Sequence, residues 1–309
     1  MTHPFRFALA ASTVTNGPDF VEVAKKAEDL GYSAIATADH LDNQLAPLIA
    51  LTGAAMATTT LRLNSLVLCN DYRHPGMVAK EAATLDQLSG GRLELGMGAG
   101  WMKTDYEQLG MPYDRPSVRI ARLGESVEIV KGLLNGDSVN FAGDFYSIAG
   151  LVGTPLPHGD AIPLMLAGGG KKMLTLAAQH ADIIGVNPGL AAGVIDERAG
   201  ATATPNATDQ KLQWIRDAAG ERFDEIELQT RIHLAAINDD RSSYAEMMAP
   251  LLGITTEEAL SSPHALVGTV DQCIETIHMW RERWGISYIS WGAEALEEMA
   301  PVVAALSGQ

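Results

Sequence analysis

Eight short apolar segments alternate with helical patterns along the 309 residues, and this alternation limits the fold more than any other feature. The segments are apolar nearly throughout, which is typical of parallel strands buried on both faces. Eight such strand and helix units close most economically into a (β/α)8 TIM barrel, an α/β fold. An open doubly wound sheet is the alternative, because periodicity does not show whether a sheet closes. The predicted strands are, in chain order, FRFALA, SAIATA, LRLNSLVL, RLELGMG, PLMLA, DIIGV, IELQTRIHLAAI and SYISW.

One barrel accounts for the whole length, so residues 1–309 are predicted to form a single domain. The connections after the fourth, sixth and seventh strands are longer than a minimal barrel needs, which predicts insertions at these places. The segment after the seventh strand is expected to be irregular as far as Ser262. Because loops around a barrel select its substrate, residues 138–160 and 190–205 are predicted to face the substrate.

Acidic residues outnumber basic ones: 22 Lys and Arg stand against 38 Asp and Glu, a formal net charge of −16. Such a field repels polyphosphates, so we expect no nucleic-acid partner. Cys69 and Cys273 lie far apart without a C-x-x-C motif, which fits a reducing compartment. The first residues hold only a short apolar run, and no later stretch approaches the ~20 apolar residues of a membrane span. We therefore expect a cytoplasmic protein with no membrane partner.

In a TIM barrel, ligands meet the carboxyl ends of the strands, so chemistry is expected directly after each apolar segment. The histidines show no H-E-x-x-H or other paired ligand spacing, which predicts no metal site. Neither a G-x-S-x-G elbow nor a P-loop is present. The candidates that follow the first six strands are Ala11, Ser12, Asp39, His40, Cys69, Asn70, Asp71, Gly98, Ala99, Gly100, Trp101, Gly168, Gly169, Gly170, Asn187 and Pro188.

The triplet Gly168–Gly170 stands between a strand and a helix and is followed by Lys171 and Lys172. Free backbone N–H groups at a helix N-terminus, together with two cations, favour an anion such as a phosphate. The alternative is that the glycines only make a sharp turn.

GMGAGW after the fourth strand also has closely spaced glycines, but the segment behind it has turn residues and is interpreted as an insertion rather than an immediate helix. A Rossmann dinucleotide loop is therefore disfavoured. The glycines remain compatible with a flat ring that lies close to the bare backbone.

Asp39 and His40 follow the second strand and offer a carboxylate acceptor beside an imidazole that exchanges a proton near neutral pH. Such a pair could orient a polar heterocycle and handle a substrate proton. The alternative is an aspartate-rich turn that caps the next helix.

Longer stretches resemble a known family. VAKEAATLDQLSGGRLELGMGAGW, DYEQLGMPYDRPSVRIARLGESVEIVKGLL and PLMLAGGGKKMLTLAAQHADIIGVN, with the closing ALVGTVDQCIETIHMWRERWGISYISW, are similar to the bacterial luciferase-like superfamily, a (β/α)8 fold. The likeness is greatest to its branch of oxidoreductases that use coenzyme F420, a deazaflavin. It implies hydride transfer between this cofactor and a small organic substrate.

The resemblance also implies roles for single residues. Asp39 would contact the polar edge of the cofactor ring, and His40 would lie near the hydride-transferring carbon as the proton donor or acceptor. Leu66 and Val67 fall where this family tends to have a bulge with a non-proline cis peptide that supports the ring. The remaining cofactor-binding candidates are Gly98, Ala99, Gly100 and Trp101 near the ring or ribityl chain, and Ala167, Gly168, Gly169, Gly170 and Lys171 around the phosphate.

Trp101 departs from the pattern of the family's sugar-phosphate dehydrogenases, which have a glutamate proton donor at this position. The departure argues against glucose 6-phosphate and suggests an apolar or planar substrate. Two other functions are compatible with the same residues: a luciferase-like monooxygenase using reduced FMN and O2, and a barrel that binds a cofactor without catalysis. A homodimer is expected only through the resemblance.

Overall fold

The computed structural model describes residues 3–194 and 196–309. Its first half contains, in chain order, β1 (Arg6–Ala10), α1 (Gly17–Asp29), β2 (Ala34–Thr37), α2 (Pro47–Ala57), β3 (Arg62–Ser65), β4 (Leu68–Cys69), α3 (Pro75–Ser89), β5 (Leu93–Gly98), α4 (Lys103–Leu109) and α5 (Pro116–Leu134). Its second half contains β6 (Ser138–Ala142), β7 (Ser147–Val152), β8 (Leu164–Gly168), α6 (Lys171–His180), β9 (Ile183–Val186), α7 (Glu197–Ala201), α8 (Pro205–Ala219), β10 (Glu227–Arg231), β11 (Leu234–Ile237), α9 (Arg241–Leu252), α10 (Thr256–Ser261), β12 (Ala265–Gly268), α11 (Val270–Trp284), β13 (Ile286–Gly292) and α12 (Ala300–Leu306).

Eight parallel strands close into a barrel, which confirms the predicted (β/α)8 fold and excludes the open sheet. Their order around the barrel is β3, β2, β1, β13, β10, β9, β8 and β5, and pairing of β3 with β5 closes the ring. The two-residue strand β4 continues β3 beyond Leu66 and Val67 and pairs with the end of β5. The Leu66–Val67 peptide bond is cis, as the resemblance predicts.

Alternating side chains explain why the strands are apolar on both faces. On β1, Phe7 and Leu9 are fully buried and belong to the large cluster formed with the surrounding helices. Ala8 points the other way and packs with Ala34 and Met165 in a smaller cluster inside the barrel. One face of each strand therefore fills the barrel and the other binds the helix layer.

Charged side chains fill the amino end of the barrel. Glu94 is 1% exposed and accepts hydrogen bonds from Arg6 Nη1 at 2.5 Å, from Arg62 Nε at 2.6 Å and from the Tyr288 hydroxyl at 2.9 Å. Glu227, on β10 two strands away from β1 around the barrel, pairs with Arg6 as well. Burial opposes the charge of Glu94, but the two arginines outweigh it and hold the pKa of Glu94 below its usual value. We call this network of Arg6, Arg62, Glu94, Glu227 and Tyr288 the floor of the barrel.

The insertions fall after the fourth, sixth and seventh barrel strands, as predicted. The secondary structure differs from the sequence interpretation in three places, two within these insertions and one at the seventh predicted strand. A short helix, α4, begins two residues after Trp101 in the segment expected to lack an immediate helix. The segment expected to be irregular up to Ser262 contains α9 and α10.

IELQTRIHLAAI is not one strand. β10 ends at Arg231, and β11 forms a separate sheet with β12. The chain changes partner at this point, since Ile232 N still donates to Ser290 O whereas His233 N donates to His264 O.

Across the parts of the chain that the structure describes, the helices all fall short of the length and apolar character needed to cross a membrane.

Candidate active site

A cavity of about 840 Å³ opens at the carboxyl ends of the barrel strands. Each of the thirteen residues predicted for the site lines this cavity. They are Asp39, His40, Leu66, Val67, Gly98, Ala99, Gly100, Trp101, Ala167, Gly168, Gly169, Gly170 and Lys171. The sequence interpretation thus placed them in one site, and their individual roles stay predictions.

His40 is held by a residue that the sequence interpretation missed. Its Nδ1 lies 2.8 Å from Oδ2 of Asp105, a carboxylate on α4 that is 2% exposed and also accepts a hydrogen bond from the Tyr72 hydroxyl at 3.2 Å. An ionised carboxylate only accepts hydrogen bonds, so Nδ1 carries the proton. Nε2 is left with no hydrogen-bond partner among the described residues, and the imidazole lines the cavity. The ring is therefore oriented to give or take a proton there through Nε2.

Trp101 forms a wall beside this imidazole. The two rings meet edge to face with their centroids 5.4 Å apart. The Tyr113 hydroxyl donates to the backbone oxygen of Trp101 at 2.8 Å, which fixes the loop that carries the indole. The aromatic wall predicted at this position is present.

Asp39 is already engaged inside the protein. Arg73 donates to its two carboxylate oxygens at 2.5 and 3.1 Å, and Cys69 N donates to Oδ2 at 2.9 Å. Burial opposes the charge of Arg73, but the hydrogen bonds and the charge of Asp39 outweigh it and raise the pKa of Arg73. Asp39 thus ties the end of β2 to the loop after β4, and it does not cap the next helix, whose N-terminus has no side-chain cap.

The glycines after the fourth barrel strand allow the backbone to come close to its neighbours. A Cβ on Gly98 would lie 2.6 Å from Val67 Cγ2, so glycine lets β5 pack against the cis bulge. Gly100 has φ +73°, and a Cβ there would lie 2.0 Å from the Tyr106 hydroxyl oxygen. Both positions need glycine for local reasons, and bare backbone then lines the cavity.

Two glycines of the triplet before α6 are required by close packing, and the third has open space beside it. A Cβ on Gly168 would meet Met173 Cγ at 2.4 Å, and one on Gly169 would meet the Pro188 carbonyl oxygen at 2.3 Å. Gly170, by contrast, has open space around its Cβ position. No side chain caps α6, so its first N–H groups are free beside the exposed Lys171 at the cavity. These features fit an anion at the helix N-terminus.

The two segments predicted to face the substrate differ in outcome. Residues 190–205 do line the cavity, through Leu190, Ala191, Ala199, Gly200 and Ala203. Residues 138–160 do not: they include the β6–β7 hairpin, which follows α5 and thus starts from the opposite end of the barrel, and none of these described residues lines the cavity. The prediction for that segment was wrong: Asn70 Nδ2 donates to the Tyr146 hydroxyl at 3.2 Å, and the Tyr146 ring meets that of His74, so the hairpin packs on the loop after β4 outside the cavity, a position that its polar and glycine-rich sequence does not show.

No group of three or more potential metal ligands is found within the described ranges.

A family model described as luciferase-like monooxygenase matches residues 1–288. The chain belongs to the luciferase-like monooxygenase family. This confirms the predicted superfamily, and the barrel with its mouth insertions is the family's fold in this chain.

An F420-dependent glucose-6-phosphate dehydrogenase from Nakamurella multipartita is 30% identical over 236 residues, which are 72% of this chain and 66% of that relative. The chain spans from about half to about two thirds of the length of such curated relatives.

Among solved structures, the coenzyme F420-dependent tetrahydromethanopterin reductase from Methanopyrus kandleri has a TM-score of 0.80 at 20% identity, covering 99% of this chain and 100% of the other. A monooxygenase from Streptomyces bottropensis has a TM-score of 0.74 at 20% identity, with coverages of 97% and 96%. At these identities the likenesses concern the fold.

Proposed function

We propose that the protein is a coenzyme F420-dependent oxidoreductase that transfers a hydride between this deazaflavin and a small organic substrate. The observation that carries the proposal is the His40 imidazole, oriented by Asp105 and placed in the cavity with the Leu66–Val67 bulge. F420-dependent dehydrogenases and reductases among the relatives support it.

The residues present fit this cofactor. Val67 packs against Gly98 and forms, with the bare backbone of Ala99 and Gly100, a surface suited to a flat ring. The uncapped N-terminus of α6, with open space at Gly170, suits a phosphate. When bound there, F420 supplies the carbon that gives or accepts the hydride.

The protein contributes orientation and proton handling. His40 Nε2 donates a proton to, or accepts one from, the substrate atom that changes charge during hydride transfer, and Asp105 keeps Nδ1 protonated and stabilises the imidazolium. Trp101 lies edge to face with the His40 imidazole, so it limits the orientations of that ring and excludes water from the side on which the indole lies. Asp39 acts by holding Arg73 and the backbone of Cys69, and so by keeping the cis bulge in place.

A titration of the purified protein with F420 and, separately, with FMN tests the proposal. Trp101 lines the cavity, whereas Trp280, Trp284 and Trp291 are buried and the half-buried Trp214 lies on α8 outside it, so a bound ring should quench mainly Trp101. We expect quenching by F420 that is largely lost in Trp101→Phe, and no saturable quenching by FMN.

The monooxygenase alternative would be favoured by tight FMN binding with none for F420. Binding of neither cofactor would favour a barrel without redox function. The change His40→Ala should leave F420 affinity within about twofold and cut turnover by about 100-fold or more, which is the range for loss of a general acid or base. Unaltered turnover would remove His40 from the mechanism.

A further inference from the structure

Side chains at alternate positions of β10 face the inside of the barrel at three levels. Glu227 joins the floor, and Gln229 Nε2 donates to Ser290 Oγ at 2.6 Å in the middle of the barrel. Arg231, the last residue of β10, is the next inward position and lines the cavity. The strand thus delivers a guanidinium to the wall of the site.

Arg231 has no direct ion-pair partner among the described residues, although the Glu294 carboxylate lies near enough for its charge to raise the pKa of Arg231 and partly offset the effect of burial. Its guanidinium makes no hydrogen bond and no ion pair within 4.0 Å among the described residues, and its Nη1 is shielded from solvent. Arg73, by contrast, forms an ion pair with Asp39. Burial lowers the pKa of Arg231. A desolvated, unmatched arginine is unfavourable in the empty site and gains most when an anion arrives.

Besides Glu294, two further cations lie in this region, and neither of them pairs with a described carboxylate. Lys211 is 2% exposed and donates to the backbone oxygens of Asn187 and Thr202 rather than to a carboxylate. Arg241, on α9, lines the cavity and has no ion pair with a described residue. Arg231 and Arg241 therefore bring two guanidinium groups to this part of the cavity lining, in a chain whose net charge is −16.

His264 supports the arrangement from behind. Its Nδ1 lies 3.0 Å from the backbone oxygen of Arg231, which can only accept, so Nδ1 carries the proton. Burial, with the charge of Lys211, lowers the pKa of His264 to about 3, so the ring is neutral. It fixes the backbone of Arg231 without competing for an anion.

We propose that Arg231, assisted by Arg241, binds a carboxylate of the substrate. The substrate is then a small carboxylic acid with an apolar body, because Leu190, Leu260 and Val267 line the same cavity. A guanidinium fork matches the two oxygens of a carboxylate. The inference rests on the proposed function for the reaction that this acid undergoes.

The cofactor phosphate has a different place. The candidate anion site at Gly170 and Lys171 follows β8, and β9 lies between β8 and β10 in the barrel. The two anion sites are therefore separate, and loss of one leaves the other intact.

Binding of benzoate and of its neutral isostere benzamide, measured by calorimetry with and without saturating F420, tests the proposal. We expect wild type to bind benzoate at least about tenfold more tightly than benzamide, and Arg231→Gln to weaken benzoate by about thirtyfold with little change for benzamide. Arg231→Lys should recover part of the affinity. Arg216→Gln, an exposed arginine on α8 outside the cavity, is the matched control and should bind benzoate as wild type does.

Equal affinity for benzoate and benzamide in wild type would overturn the proposal, as would unchanged benzoate binding in Arg231→Gln. With F420 saturating, inorganic phosphate that binds more tightly than benzoate and loses this affinity in Arg231→Gln would also overturn it, and so would an Arg231→Gln protein that loses F420 affinity but keeps benzoate affinity. Circular dichroism checks folding, and Arg241→Gln, with a smaller expected loss, replaces Arg231→Gln if that variant does not fold. A protein that binds benzoate through Arg231 but does not bind F420 would contradict the proposed function and leave this inference standing.

Discussion

Replacing Asp105 by asparagine should reduce turnover through its effect on His40. The change removes the negative charge from the group 2.8 Å from His40 Nδ1 and keeps the shape of the side chain. A hydrogen bond to a charged group contributes about 1.5–3 kcal/mol. If that stabilisation is needed when His40 carries its second proton, kcat falls about 10- to 150-fold, since each 1.36 kcal/mol is about tenfold in rate.

Two measurements separate this role from a structural one. Turnover is followed by the absorbance of F420 with an acceptor found in a substrate panel, and F420 affinity is measured alongside and should not change. Nitrogen-15 NMR of labelled histidine reports the tautomer directly: Nδ1–H dominates in wild type, and Asp105→Asn gives a mixture, because an amide can also donate to Nδ1.

Glu107→Gln provides a matched control on the same helix. Glu107 pairs with Lys103 at 3.0 Å, but both side chains are more than half exposed, so the same acid-to-amide change should alter kcat less than twofold. In a His40→Ala background, Asp105→Asn should have almost no further effect on kcat. Unchanged turnover in the single variant, or a full additional loss in the double variant, would refute the reasoning.

Four further substitutions have definite expected outcomes. Asp39→Ala leaves Arg73 unmatched and should lower the free energy of unfolding by about 2–4 kcal/mol in urea denaturation while weakening F420 binding in the same titration. Gly169→Ala places a Cβ 2.3 Å from a backbone oxygen and should lower Tm by several degrees, whereas Gly170→Ala meets open space and should keep Tm but weaken F420 binding. Three backbone N–H groups outweigh partial burial and lower the pKa of Glu28 to about 2, so its stabilisation is present above pH 4.5 and is lost as pH falls from 4.5 towards 2. Glu28→Gln should reduce stability at pH 7 by about 1–2 kcal/mol and flatten that part of the urea-derived pH profile.

The barrel and the predicted site residues could be read from the sequence because both depend on local order. Buried parallel strands leave continuous apolar segments, and closure then brings the residues after each segment to one end. His40 and Gly168–Gly170 were found in this way.

Asp105 and Arg231 were not found, for different reasons. Asp105 acts through a contact across 65 positions of the chain, and nothing in a turn-rich segment shows that α4 will fold back towards β2. Arg231 was hidden inside a segment interpreted as one long strand, because apolar periodicity shows where a chain can pair but not with which neighbour. Had the break after Ile232 been recognised, the alternation along β10 would have placed Arg231 inside the barrel.

The floor has a kinetic consequence. Because Arg6, Glu94, Glu227 and Tyr288 fill the amino end of the barrel, a ligand reaches the cavity from its carboxyl end. For the proposed function this means that cofactor and substrate share one entrance, and we expect the one that lies deeper to enter first and leave last. Steady-state kinetics should therefore show compulsory-order addition, and the product bound nearer the mouth should be released before the deeper molecule can exchange.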